Sequence, residues 1–171
     1  MMKKGTAYRL TGLSGAGKTT IGTILFDYMK KKQDNVVLLD GDALRAISEN
    51  TDYSLEGRAR QGRIARNLVK FLTDQGIDVI WCVIGMLEEE RRLNRDLIDN
   101  YKEIYIKVSI EELIRRDSKG LYKAALEGKK ENVYGINMKT EYPENPELII
   151  ENEGDLKPED AVEIIKEKFA L

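Results

Sequence analysis

The stretch "GLSGAGKTT", residues 12–20, is the strongest indication of the fold in this sequence. It fits the pattern G-x-x-x-x-G-K-[S/T], follows the apolar run "TAYRLT" at 6–11, and precedes Ile21, Ile24 and further apolar residues at helical spacing. A glycine-rich loop between a strand and a helix is the context in which this pattern binds a nucleoside triphosphate. The stretch therefore predicts a phosphate-binding loop, or P-loop, near the start of an α/β fold.

The residue types in this loop suit phosphate chemistry. The glycines allow a tight backbone curl that directs amide groups at phosphate oxygens, and the helix that follows adds its N-terminal dipole. Lys18 can reach the β- and γ-phosphates as a catalytic cation, and the Thr19 hydroxyl can ligate Mg²⁺. The predicted ATP-binding residues of the loop are Gly12, Ser14, Gly15, Ala16, Gly17, Lys18, Thr19 and Thr20.

The rest of the chain alternates apolar strands with amphipathic helices. Further strands are predicted at "NVVLLD" (35–40), "DVIWCVI" (78–84), "EIYIKV" (103–108) and "ELII" (147–150). Helices are predicted from the apolar spacings Ile64–Leu68–Phe71–Leu72 and Val162–Ile165–Phe169, the second opening at Pro158. Alternation of this kind predicts a P-loop NTPase-type three-layer sandwich, in which a five-stranded parallel sheet carries helices on both faces. We expect one domain over residues 1–171.

Composition restricts the classes of function. The net charge of −2 gives no overall attraction to nucleic acid or to anionic membranes. The chain has no histidine, which excludes histidine-based triads and histidine metal sites, and its single cysteine, Cys82, excludes a disulfide framework. The start "MMKKGTAYRLTG" lacks the apolar core of a signal peptide, and the apolar run at 79–87 is too short to span a membrane. We expect a cytoplasmic protein that binds neither nucleic acid nor membrane.

The stretch "LLDGDALR", residues 38–45, suggests a phosphate-transferring enzyme. A buried strand ends by presenting Asp40 and Asp42 at the edge of a parallel sheet where ligands bind. Asp40 can orient Mg²⁺ through water, and Asp42 can accept a proton from an attacking hydroxyl. Arg45 follows on the next turn, where it suits an anionic acceptor.

Two classes of P-loop protein compete at this point. A GTPase switch would carry N-K-x-D, which is absent, and "DSKG" at 117–120 matches D-x-x-G only after a helix. The alternative to a kinase is a catalytically inactive nucleotide-binding regulatory module. Replacing Lys18 and Asp42 by alanine separates the two, because only an enzyme would lose activity.

The segment "RRDSKGLYKAALEGKKENVYGIN", residues 115–137, is too charged and too rich in glycine to be core. Phosphoryl transfer needs cations at the developing charge, and water must be excluded so that ATP is not hydrolysed. We therefore predict a mobile lid over about 115–140. Its cations are Arg115, Arg116 and Lys119, its hinges Gly120, Gly128 and Gly135, and its aromatic covers Tyr122 and Tyr134.

"GLSGAGKTT", "LDGDALR", "YSLEGRARQGRIARNLVKFL" and "RRDSKGLYKAALEG" resemble the successive signatures of adenylyl-sulfate kinases. The resemblance covers nearly the whole chain. It implies transfer of the γ-phosphate of ATP to the ribose 3′-hydroxyl of adenylyl sulfate, with Mg²⁺, by a homodimer whose lid closes over both substrates.

The resemblance also implies site residues. Arg58 matches the family arginine that grips the anionic group of the acceptor, and with Arg45 it would clamp a diphosphate-like moiety. Arg115 is expected on the ATP side, and Arg60 and Arg66 are expected to be solvated. The predicted acceptor-binding residues are Asp42, Arg45, Tyr53, Arg58, Gln61, Lys119 and Tyr134.

Departures from the family pattern lie on the acceptor side. Tyr53 and Val133 stand where the family has two phenylalanines that stack on the acceptor base. The other departures are Gln61 for asparagine, Asn137 for aspartate, and Gly85-Met86 for Ser-Pro. Loss of an aromatic platform at position 133 removes roughly 1–3 kcal/mol of base stacking, which Tyr134 could partly restore. With these departures, the resemblance implies that the acceptor is either adenylyl sulfate or cytidine diphosphoramidate, the substrate of a relative that decorates bacterial surface polysaccharide.

Overall fold

A five-stranded parallel sheet organises the part of the chain that the structure describes, residues 3–117 and 119–171 of a computed structural model. The strands are β1 Ala7–Thr11, β2 Val36–Asp40, β3 Asp78–Val83, β4 Tyr101–Lys107 and β5 Leu148–Glu151, in the spatial order β2-β3-β1-β4-β5. The helices are α1 Lys18–Lys30, α2 Gly41–Ile47, α3 Leu55–Asp74, α4 Glu88–Leu97, α5 Ile110–Arg116, α6 Leu121–Leu126 and α7 Pro158–Phe169. Each of the five strands predicted from the sequence is confirmed.

Helices cover both faces of the sheet, because successive strand residues point to opposite sides. In β3, Ile80 and Cys82 join one apolar cluster with α1 and α7. Val79 and Trp81 join a second cluster with α2 and α3. The predicted three-layer α/β sandwich is therefore confirmed. None of the described helices is both long and apolar enough to cross a membrane.

The last helix, α7, forms as the sequence predicts. It begins at Pro158, and the Asp160 carboxylate accepts a hydrogen bond from the Lys157 amide at 3.1 Å, which satisfies a free donor at the helix start. Val162 and Ile165 are buried. Phe169 is partly buried, with its ring edge-on to Tyr8 at 5.8 Å between centroids.

The predicted apolar face of α3 is wrong in part, since Leu68 and Leu72 pack against the second cluster but Ile64 and Phe71 do not. Ile64 and Phe71 are 42% and 63% exposed, whereas Ala65 and Val69 are buried against the sheet. Small side chains at this spacing let the helix approach β3 closely, and Ile64 and Phe71 are left exposed.

The prediction that Arg66 is solvated is also wrong, while Arg60 is exposed as expected. Arg66 lies on the buried face of α3, where its guanidinium donates to Glu90 of α4 at 2.8 Å. Burial of an arginine requires such a partner. The ion pair therefore joins α3 to α4.

A buried ion pair lies inside the sheet, which the sequence reading did not anticipate. Arg9 of β1 and Glu103 of β4 face each other in the parallel register and lie 3.0 Å apart, both almost completely buried. Arg95 also donates to Glu103, at 2.8 Å, and its guanidinium lies 5.2 Å from the ring centre of Tyr101. The carboxylate of Glu103 thus links β1, β4 and α4.

Replacing Glu103 by glutamine should lower the free energy of unfolding by about 3–5 kcal/mol, because buried guanidinium groups lose their counter-charge. Urea denaturation measures the change. The matched control is Glu151→Gln in β5, which breaks an exposed pair with Lys107 and should cost about 0–1 kcal/mol. Equal stability losses in the two variants would contradict the importance of the buried pair.

Candidate active site

The P-loop connects β1 to α1 through two glycines in left-handed conformations. Gly15 has φ 79° and Gly17 has φ 94°, values that side-chain-bearing residues rarely adopt. Gly12 is required for a different reason, since a Cβ there would lie 2.5 Å from the Ile106 carbonyl oxygen. Ala16 is completely buried behind the loop. Gly12 and Ala16 therefore shape the loop from behind.

Lys18, the first residue of α1, is buried beneath the loop. Its ammonium donates to the Leu13 carbonyl at 2.7 Å. Burial lowers the pKa of Lys18 to about 8, because a charged ammonium is costly where water is excluded. The loop thus holds the Lys18 ammonium through the Leu13 carbonyl of its own backbone.

Thr19 and Asp40 lie together at the carboxyl ends of β1 and β2. The Thr19 hydroxyl donates to Asp40 at 2.7 Å, and the same carboxylate accepts from the Asp42 amide at 2.9 Å, where it caps α2. Hard oxygen donors of this kind fit Mg²⁺. No group of three or more acidic, cysteine or histidine side chains in the described residues could hold a metal. A magnesium ion here would need phosphate oxygens and water as further ligands.

Asp42 lies in the first turn of α2, exposed to solvent. The Lys119 ammonium, from the segment predicted as a lid, is 3.6 Å from its carboxylate. Ser118, next in sequence, lies outside the described residues. The structure therefore brings together a carboxylate and a lysine that are distant in sequence.

A large cavity of about 730 Å³ opens in front of the P-loop. Of the predicted ATP-binding residues it is lined by Ser14, Gly15, Gly17, Lys18, Thr19 and Thr20, and of the remaining site residues by Asp40, Asp42, Tyr53, Arg58, Lys119 and Tyr134. Arg115 is not among the lining residues. It points to solvent and makes two hydrogen bonds of 2.7 Å to Glu112, so its place on the ATP side stays a prediction.

A hydrogen bond joins the α6 helix to the P-loop. The Tyr122 hydroxyl donates to the Ser14 carbonyl at 2.6 Å, and its ring is buried. Asp117 accepts hydrogen bonds from the Tyr122 and Lys123 amides at 3.1 and 2.9 Å, which caps the start of α6. Tyr122, expected to cover a base or a ribose, therefore anchors its segment to the loop.

A second, smaller cavity of about 110 Å³ adjoins the first. Both cavities are lined by Asp42, Tyr53, Arg58 and Tyr134. The Arg58 guanidinium lies 5.6 Å from the ring centre of Tyr53 and 4.5 Å from that of Tyr134, and Arg45 lies 4.2 Å from that of Tyr53. The two arginines of the predicted clamp thus meet at one aromatic ring.

Both arginines are held by backbone carbonyls. Arg45 donates to the carbonyls of Asn50 and Asp52 at 3.1 and 2.9 Å. Arg58 donates to those of Tyr53 and Asn132 at 3.0 and 2.8 Å. Burial lowers the pKa of Arg58, and the neighbouring Arg45 charge acts in the same direction. The carbonyls partly offset a concentration of positive charge.

The sequence departures on the acceptor side have clear structural roles. Val133 is buried in the main core and does not line the smaller cavity. Asn137 accepts from the Val133 amide at 2.8 Å and donates to the Lys130 carbonyl at 2.7 Å, which fixes the loop. The adjacent Tyr134 lines both cavities. Gln61 is buried in the wall, accepting from Ser48 at 2.8 Å.

The sequence reading missed several residues of the smaller cavity, three of which are buried and carry polar atoms. Arg9 and Trp81 line it from β1 and β3, and Asn94 lines it from α4. All three are buried. A charged residue within an apolar strand was the available signal for Arg9. No sequence pattern pointed to Asn94, since an asparagine within a polar helix is usually solvated.

The chain belongs to the adenylylsulphate kinase family, whose model matches residues 4–151. It is a phosphotransferase that acts on a hydroxyl group. A cytidine diphosphoramidate kinase from Campylobacter jejuni is 43% identical over 95% of each chain. A probable adenylyl-sulfate kinase from Aeropyrum pernix is 40% identical over 89% of this chain and 86% of its own.

Solved structures agree with this assignment. The Mycobacterium tuberculosis APS kinase CysC, in complex with AMPPNP and APS, superimposes with a TM-score of 0.91 at 27% identity, covering 99% of this chain and 100% of that one. The fold, the P-loop and the family of the chain are thus consistent with one another, and ATP is the phosphate donor of the family.

The pKa of Lys18 predicts a pH dependence for binding of AMPPNP. Before the nucleotide binds, Lys18 is a charged ammonium below about pH 8 and a neutral amine above it. A triphosphate favours the charged form, so affinity should fall above pH 8, approaching about tenfold per pH unit. Isothermal titration calorimetry between pH 7.5 and 9.5 measures the trend.

Lys18→Arg is the control, because a guanidinium stays charged throughout this range. Its affinity for AMPPNP, whatever the absolute value, should be nearly constant with pH. A wild-type affinity that is also constant would contradict the role assigned to the buried lysine.

Proposed function

We propose that the protein transfers the γ-phosphate of ATP to the ribose 3′-hydroxyl of a nucleoside 5′-diphosphate-like acceptor, either adenylyl sulfate or cytidine diphosphoramidate. The observation that carries this proposal is the position of Asp42, which lines both the P-loop cavity and the smaller cavity. A carboxylate at that junction is suited to act where a phosphate and a hydroxyl meet. The names of two relatives, one for each acceptor, support the same pair of candidates.

The donor half holds the triphosphate of ATP. The amides of the P-loop face the phosphate oxygens, and the Lys18 ammonium exchanges its bond to the Leu13 carbonyl for the β- and γ-phosphates. Thr19 and Asp40 are the residues for Mg²⁺, Asp40 acting through water. When bound, Mg²⁺ neutralises negative charge on the phosphates.

Transfer is an in-line displacement. The acceptor 3′-oxygen forms a bond to the γ-phosphorus, the bond from that phosphorus to the β,γ-bridging oxygen breaks, and ADP leaves with the electron pair. Asp42 takes the proton of the attacking hydroxyl. Lys119, 3.6 Å from Asp42, brings a second cation to the region where charge develops.

The acceptor half combines cations with aromatic faces. Arg45 and Arg58 exchange their hydrogen bonds to backbone carbonyls for hydrogen bonds to the 5′ anionic group. The new bonds are stronger, because both partners are charged. Tyr53 and Tyr134 offer ring faces for the base or the ribose. The segment from 115 to about 140 closes over this region and excludes water, so that ATP is not hydrolysed.

The assembly that we propose is a homodimer of a single kinase domain in the cytoplasm. The exposed face of α3 supports the dimer, because Ile64 and Phe71 lie on it two turns apart. A reducing compartment suits the free, buried Cys82.

An acceptor panel tests the proposed reaction. Purified protein with ATP and Mg²⁺ receives adenylyl sulfate, cytidine diphosphoramidate, CDP or ADP, and mass spectrometry with phosphorus NMR locates the added phosphate. We expect 3′-phosphorylation of at least one acceptor. Asp42→Asn should lower kcat by about 10²–10⁴-fold while AMPPNP still binds, because only the proton acceptor is removed.

Asp27→Asn is the matched control for this variant. Asp27 is exposed on α1, outside both cavities, and its replacement should leave kcat unchanged. Phosphorylation of the acceptor at a position other than the 3′-hydroxyl, or full activity of Asp42→Asn, would reject the proposal.

The homodimer is tested at α3. Phe71→Glu places a charge on the exposed apolar face and should shift the protein from dimer to monomer in sedimentation velocity. Leu97→Glu, at another exposed apolar position on α4, should leave the dimer intact. A wild-type protein that sediments as a monomer at micromolar concentration would contradict the dimer.

A further inference from the structure

Four buried polar groups without partners surround the smaller cavity. Within the described residues, four atoms have no hydrogen-bond partner: Arg9 Nε, Gln61 Nε2, Trp81 Nε1 and Asn94 Oδ1. Their side chains are 2, 8, 1 and 1% exposed, and all four residues line the smaller cavity. Buried polar atoms are normally satisfied, so a cluster of unsatisfied ones in a cavity wall points to a polar ligand.

The surrounding contacts determine which atoms remain available. Arg9 uses Nη1 for Glu103 and for the Tyr101 hydroxyl, at 3.0 and 3.2 Å, which leaves Nε. The Gln61 carbonyl oxygen accepts from Ser48 at 2.8 Å, which leaves its amide nitrogen. Trp81 offers only a ring N–H. These four side chains, which we call the cavity floor, therefore carry three unpaired donors and, at Asn94, one unpaired acceptor.

The fold fixes the position of Arg9 in this floor. Gly85 has φ 62°, and a Cβ there would lie 2.0 Å from Arg9 Nη2, so the arginine occupies space that only glycine leaves open. The Arg9 guanidinium also lies 5.1 Å from the ring centre of Trp81. Glu103, Gly85 and Trp81 together hold Arg9 in the wall, where it cannot swing away from a ligand.

We propose that this floor binds the base of the acceptor and selects a pyrimidine over adenine, an inference that rests on the proposed function. Tyr53 and Tyr134 line the same cavity, so a base that enters meets aromatic faces before its edge reaches the floor. The unsatisfied atoms on the floor then form hydrogen bonds to that edge.

The chemistry of the bases gives the direction of selection. One edge of cytosine carries two acceptors, O2 and N3, beside an amino donor, and one edge of uracil carries two carbonyl acceptors beside an N–H donor. Each pairing edge of adenine carries one ring-nitrogen acceptor beside its amino group. With three donors and one acceptor, an edge of two acceptors and one donor forms three hydrogen bonds and an adenine edge forms two, so adenine leaves one more buried donor unpaired.

Binding measurements without turnover test the selection. With the donor site saturated by AMPPNP and Mg²⁺, isothermal titration calorimetry compares CDP, UDP and ADP, which differ only in the base. Trp81 is the single tryptophan, so its fluorescence reports occupancy of the floor. We expect CDP or UDP to bind at least about tenfold more tightly than ADP. ADP binding equal to or tighter than both pyrimidine nucleotides overturns the proposal.

Two variants locate the selection in the floor. Trp81→Phe removes one ring N–H and keeps an aromatic side chain, and Gln61→Asn withdraws an amide by one methylene. Each should reduce the ratio of pyrimidine to adenine affinity by about tenfold. The ratio is measured within one protein sample, so a loss of folded protein does not alter it. Tyr142→Phe, outside both cavities, should leave it unchanged. An unchanged ratio in both floor variants overturns the proposal.

The test separates this inference from the reaction on which it rests. Phosphorylation of an adenine acceptor with no pyrimidine preference would reject the selection and keep the 3′-kinase. Tight pyrimidine binding without transfer to any acceptor would reject the reaction and keep the recognition by the floor.

Discussion

The site depends on one constraint of the sheet, which is that β3 lies between the strand that leads into the P-loop and the strand that ends in Asp40. Two inter-strand spacings of about 4.8 Å separate β1 from β2, and this leaves a crevice above the end of β3. Gly41 crosses it closely, since a Cβ there would lie 3.4 Å from the Cys82 carbonyl oxygen. The Thr19–Asp40 hydrogen bond of 2.7 Å then joins the two sides. Without this strand order, the phosphate loop and the carboxylates would not share one opening.

Cationic side chains of the site donate hydrogen bonds to backbone carbonyls. The Lys18 ammonium is held by Leu13, and the Arg58 guanidinium by Asn132. Carbonyl dipoles stabilise a buried cation only partly, so an anionic ligand remains a better partner. These carbonyls keep the two cations in position, and a phosphate-like group would displace a neutral partner from each of them. Lys119 differs, because it is paired with Asp42 in solvent.

Much of the fold followed from local patterns in the sequence. The P-loop, the strands and α7 are encoded by residues close together in the chain, so apolar periodicity and glycine placement were sufficient. Local patterns did not predict the buried face of α3. Ile64 and Phe71 have the right spacing, but the residues that pack against the sheet are the smaller Ala65 and Val69. Apolar spacing identifies a helix face, and packing distance decides which face is buried.

The site residues divide in the same way. Asp40 and Asp42 follow a recognisable strand end, and so the sequence could propose them. The Arg9–Glu103 pair depends on the register of β1 and β4, which are distant in sequence, and Asn94 reaches the smaller cavity only through the packing of α4. The bond between Tyr122 and the Ser14 carbonyl has a mechanical consequence. A displacement of α6 that keeps this bond would also move the Ser14 backbone of the P-loop, so the two segments form one mechanical unit.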